Sequence, residues 1–133
     1  MSIARTAFAV IAWIFVARVV IQVFLAGMGL LGGAGMGTHV DFGYLLSMVP
    51  LGMVLAAAIA RAGRLAWYGA GLLALTVVQT VLPMFRDSVP FVAALHPVNA
   101  LAIFWLGLAI ARRATALARR DEPAAVAEPA RAV

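Results

Sequence analysis

Four apolar runs, each close to the length of a bilayer span, constrain this chain more than any other feature. They extend over about 6–26, 39–60, 65–82 and 92–111. A helix rises about 1.5 Å per residue, so crossing the hydrocarbon layer takes roughly 20 consecutive apolar residues. Inside that layer each backbone amide must find its partner within the protein, and a helix supplies every one locally. The expectation is an all-α integral membrane protein, a four-helix up-down bundle formed by residues 1–120. Charged residues make up 11% of the chain, against about 25% in soluble domains. With 133 residues there is no length left for a separate soluble module.

The arginines set the expected topology. Arg5 precedes the first run, Arg61 and Arg64 separate the second from the third, and Arg112, Arg113, Arg119 and Arg120 follow the fourth. The opposite side carries Arg86, next to Asp87. The excess of positive charge on short cytoplasmic loops places both termini in the cytoplasm of a bacterial inner membrane. The net charge of +5 is read as topology signals flanking apolar spans, not as a nucleic-acid surface. The first run is long for a signal peptide and reads as an uncleaved helix. Residues 121–133, rich in Ala, Pro and charge, read as a disordered cytoplasmic tail. No internal repeat is strong enough to use.

Several chemistries are excluded. There is no cysteine, hence no disulfide or thiolate chemistry. The glycine-rich stretch from Gly27 to Gly37 lacks the Lys-Ser/Thr ending of a phosphate loop and reads as a flexible turn. No catalytic triad, carboxylate pair or H-E-x-x-H pattern is present.

Both histidines stand where an apolar run begins, in Thr38-His39-Val40-Asp41-Phe42-Gly43 and Leu95-His96-Pro97-Val98-Asn99-Ala100. Positions i and i+4 share a helix face, so each imidazole neighbours a small residue, Gly43 or Ala100, against which a flat ligand can lie. The second and fourth spans run in the same direction and are diagonal in an up-down bundle. Two neutral imidazoles meeting there on the outer side are the ligand set of a six-coordinate haem b. His39 and His96 are therefore the expected iron ligands, with Gly43 and Ala100 packing the porphyrin and Asn99 or Asp41 orienting a ring or a propionate. Depth argues the other way. Arg61 follows His39 by 22 residues and Arg112 follows His96 by 16, which sets His96 about 9 Å deeper if the arginines are level. Zinc or copper would need a third or fourth ligand beyond Asp41.

Arg18 lies within the first run, one turn before Gln22. A charge inside a span costs about 2.5–3.5 kcal/mol on insertion scales and faces the bundle interior with a partner. Asp41 and a haem propionate are the candidates, since guanidinium binds carboxylate in a two-pronged fork. Gln79, Thr80, Tyr44 and Ser47 could extend a polar interior. Pro50 frees the carbonyl of Leu46 and should kink the second span.

His39-x-x-x-Gly43, Gln79 and Leu-His-Pro-Val-Asn-Ala over 95–100, in this order across residues 5–120, resemble an uncharacterised family of four-span membrane proteins from actinobacteria and related bacteria. That resemblance implies the fold and no activity. More loosely, His-x-x-x-Gly heading a span is similar to haem-bearing helices of membrane b-type cytochromes and of haem A synthase. It implies haem b, with one-electron exchange with a quinol or an outer partner. Two other functions are carried forward, a scaffold or accessory subunit open to homo-oligomerisation, and a small-molecule transporter built on Arg18, Gln22 and Asp41.

Overall fold

The computed structural model describes residues 3–120; the expected disordered tail lies outside them. The chain forms α1 (Ile3–Leu31), α2 (Gly37–Ser47), α3 (Val49–Ile59), α4 (Arg64–Val81) running into a 3-10 turn over Leu82–Phe85, then α5 (Pro90–Ala93) and α6 (Leu95–Arg119). These make four spans, each apolar and long enough to cross a membrane.

The helices outrun the expected boundaries at both ends of the bundle. α1 continues through Gly27 and Gly29 to Leu31. A glycine costs a helix about 1 kcal/mol relative to alanine, whereas an unpaired backbone group beside lipid costs several kcal/mol. The helix gives way only where Gly33 and Gly35, both at φ 70, take the left-handed backbone that turns the chain into α2. α6 passes residue 111 and ends at Arg119. Its last two turns are rich in alanine, leucine and arginine, which form helix well, and cations suit the negative end of the helix dipole. The expected irregularity at Pro50 takes the form of one turn residue, Met48, between α2 and α3, whose backbone stays in the right-handed helical region at φ −78 and ψ −22.

The first span packs on the second and fourth, and the third packs on the same two; among the described residues no close backbone approach joins first to third or second to fourth. The second and fourth spans are thus diagonal. Each span buries one stripe at helical spacing. In the first hairpin it comprises Phe8, Ala12, Phe15 and Val19 with Leu46, Pro50, Met53 and Ala57. In the second it comprises Leu65, Gly69, Leu72 and Thr76 with Ile103, Gly107, Ile110 and Ala114. Each position of the second set follows its counterpart by one constant interval, the interval from Phe8 to Leu65. The second hairpin therefore repeats the first in its pattern of buried positions. The repeat escaped the sequence because burial is retained while residue type is not, as Pro50 against Gly107 shows.

The turn between the second and third spans carries a strained residue. Ala62 N–H bonds back to Ala57 O at 2.9 Å, closing α3 as helices that end in a left-handed residue do. That residue is Arg61, at φ 49, where glycine is the usual occupant. Arg61→Gly is expected to raise stability by about 1 kcal/mol through relief of the Cβ clash. A thermal melt in detergent that is unchanged or lowered would contradict this.

Candidate functional site

Near the end opposite Ile3 and Arg119, the four spans each place one polar side chain in a common layer: Gln22, His39, Gln79 and His96. The imidazole centres of His39 and His96 stand 6.2 Å apart, with planes at 70°. The depth mismatch inferred from the arginines is thus absent. The arginines are not level, because α6 carries its first arginines inside a helix that runs on to Arg119, whereas Arg61 lies in a turn.

Each histidine is held by a glutamine of the preceding span. His39 Nδ1 approaches Gln22 O at 3.1 Å, and His96 Nδ1 approaches Gln79 O at 3.0 Å. A carbonyl only accepts, so both Nδ1 atoms carry the hydrogen. Gln22 Nε2 donates to His39 O at 2.7 Å and lies 3.3 Å from His39 Nε2. Gln79 Nε2 lies 3.1 Å from His96 Nε2, while Gln79 Oε1 accepts from Asn99 Nδ2 at 2.7 Å. Those contacts fix which end of each amide is nitrogen, and hence make each Nε2 a lone-pair acceptor. In this tautomer each Nε2 presents a lone pair that a Lewis acid could take in place of the amide. A ring nitrogen donating to a backbone carbonyl is also the common outer contact of metal-bound histidine.

The two halves differ in how completely they are satisfied. Asn99 donates to both Gln79 Oε1 and Leu75 O. In the first hairpin the repeat-related positions of Asn99, Gln79 and Leu75 are Phe42, Gln22 and Arg18. There the Arg18 guanidinium lies 4.9 Å from the centre of the Phe42 ring. Phe42 has no donor to offer, and Gln22 Oε1 and Arg18 Nε are buried without a hydrogen-bond partner among the described residues. Each such orphan costs about 1–3 kcal/mol. The Arg18–Asp41 pair considered from sequence does not form; Asp41 is exposed and Arg18 stacks on the next residue instead.

Gly43 has a specific neighbour. A Cβ added there would come within 2.8 Å of Gln22 Nε2, so the bare backbone admits the glutamine amide that reaches His39. Ala100, its counterpart, is half-buried. Among the remaining polar candidates, Thr80 and Ser47 bond to carbonyls of their own turns, and Tyr44 is exposed. No group of three or more His, Cys, Asp or Glu capable of holding a metal ion occurs among the described residues.

Sequence reasoning found both histidines, Gly43 and Asn99, but missed the pairing of each histidine with a glutamine. The signal was present: His39 follows Gln22 at the same interval at which His96 follows Gln79. Asn99→Leu is expected to free the Gln79 amide and weaken any ligand held by His96 about tenfold, the lower range for loss of an outer contact. Unchanged affinity of the purified variant would remove Asn99 from the site.

Residues 22–85 match the model of a family described as a family of unknown function (DUF6220). The match takes in Gln22, His39 and Gln79 and stops before His96. No curated protein and no solved structure matches the chain.

Proposed function

We propose that this protein binds one haem b between His39 and His96 at the outer side of a bacterial inner membrane. The observation that carries the reading is the spacing of the rings. The two rings meet edge to face across the diagonal of the bundle, each anchored by one nitrogen to a glutamine carbonyl of the preceding span. The separation here is 6.2 Å. The donor arrangement agrees, since each Nδ1 is taken by a backbone carbonyl and Nε2 is left as the lone-pair atom.

When bound, the haem supplies one-electron chemistry, with a quinol or an outer protein as partner. The chain's own residues do the rest. Gln22 O and Gln79 O hold the imidazoles in place by accepting from their Nδ1–H groups. His39 and His96 would hold the haem through Nε2, the atoms now beside the Gln22 and Gln79 amides. Arg18, with an unpartnered buried Nε, is the natural partner for a propionate carboxylate. Gly43 and Ala100 let a flat group approach the backbone. The arginine-rich end faces the cytoplasm under the positive-inside rule.

A second reading rests on a different observation. Both Nε2 atoms accept from glutamine amides, which a purely structural clamp between neighbouring spans also requires. On this reading the protein is a scaffold or accessory subunit. An absorption spectrum of the full chain, purified after expression with ample haem, separates the two. A Soret band with the sharp visible bands of paired imidazoles is expected. Its absence, with the protein folded, overturns the haem reading and leaves the clamp.

A further inference from the structure

At the arginine end, the start of α4 and the end of α6 enclose a cleft of about 240 Å³. Arg64, Arg113 and Arg120 line it together with Tyr68, over apolar walls that include Leu65 and Leu117. The Arg113 guanidinium lies 4.9 Å from the centre of the Tyr68 ring. Three exposed arginines line this cleft, and no described carboxylate lines it. Asp41 and Asp87 both lie towards the histidine end, and Asp87 pairs with Arg86.

The internal repeat provides a control. The repeat-related positions of Arg64, Tyr68, Arg113 and Arg120 in the first hairpin are Ala7, Ile11, Ala56 and Gly63. The same corner of the first hairpin therefore closes with small and apolar residues. Closing a hairpin of this fold does not call for cations at these places, and arginines lining one cleft make a cationic patch that attracts an anion. Guanidinium forks match phosphate oxygens, and a cationic rim above apolar walls between two spans suits a molecule with a phosphate head and a hydrocarbon body.

From this we infer that the cleft between α4 and α6 is a binding site for a phosphate ester, supplied by the headgroup of an anionic phospholipid. The site is independent of the histidine layer and stands or falls separately from it. The test uses the full chain in nanodiscs containing equal phosphatidylglycerol and phosphatidylcholine, with bound lipid counted by native mass spectrometry after release. Enrichment of phosphatidylglycerol is expected. Arg113→Gln and Arg64→Gln should each lower it roughly fivefold, the worth of one basic side chain near an anionic surface. Arg86→Gln, at the other end, should leave it unchanged.

Equal retention of both lipids by the unmodified protein would overturn the proposal, as would enrichment that survives in both arginine variants. A parallel melt in a neutral detergent, with glycerol phosphate or inorganic phosphate added, distinguishes the source. Protection by these soluble anions equal to that by phosphatidylglycerol would overturn the lipid as ligand while assigning the cleft to a soluble phosphate. Because the first arm uses the unmodified chain, a variant that fails to fold does not remove the test.

Discussion

On the proposed haem ligation, replacing either histidine with alanine is expected to abolish the paired-imidazole spectrum. His39 and His96 are the two imidazoles of the chain, so neither has a substitute. His96→Ala also leaves the Gln79 amide without its acceptor, whereas in His39→Ala the Gln22 amide keeps the backbone carbonyl of residue 39. The orphaned Gln79 amide costs about 1–3 kcal/mol and by itself could unload a cofactor through loss of structure. Two further variants separate ligation from folding. In the double variant Gln22→Leu with His39→Leu, donor and acceptor are removed together by apolar groups, which is close to neutral for stability. This variant should melt near the unmodified protein and still lack the spectrum. In His96→Met the thioether can ligate haem iron but cannot donate to Gln79 O. It should retain haem with shifted visible bands. A full bis-imidazole spectrum in any of the alanine or leucine variants would sink the assignment of ligands.

Enlarging Gly107 is expected to be the most damaging change in the apolar core. A Cβ at this position would stand 3.0 Å from Cε1 and 3.1 Å from Cδ1 of Phe15, and that ring is fully buried. These are ring edges packed between α1 and α6, and they have little space into which to retreat. Gly107→Ala should cost about 1–3 kcal/mol, the usual range for overpacking; Gly107→Leu should prevent recovery of folded protein. Part of the cost of a helix-interior glycine is returned by alanine, about 1 kcal/mol, so the net effect of Gly107→Ala lies at the lower end. Shortening the ring should rescue it: Phe15→Leu with Gly107→Ala is expected to be more stable than the sum of the single effects. Strict additivity in detergent melts would mean that the two residues are not in contact.

How much was legible in advance differs between the fold and the site. The four spans follow from apolar length, because lipid penalises any backbone group without a partner. The same penalty explains why α1 runs through Gly27 and Gly29, although residue propensity alone suggests a loop there. Pro50 announced the irregularity at Met48 through its missing amide. At the site, the histidines stood out by scarcity, whereas Gln79 read as an extension of a polar interior and Gln22 as a neighbour of Arg18. Their role depends on a neighbour in the next span, reached only after the chain has turned back, and pattern along one helix does not register such a contact. Arg18 shows the opposite error. Its charge, opposite to that of Asp41, suggested an ion pair, but the ring of Phe42 takes the guanidinium instead.

Sequence by itself determined the class of structure and the number of spans, because hydrophobic length is a local property summed along the chain. It also singled out His39 and His96. Tertiary structure alone decided that their rings stand 6.2 Å apart. That distance depends on where α2 and α6 stand across the diagonal of the bundle, which packing sets and no count of residues from an arginine can supply. It also showed that one hairpin repeats the other. Buried positions are defined by what lies opposite them, so the repeat became visible only once the four spans were assembled.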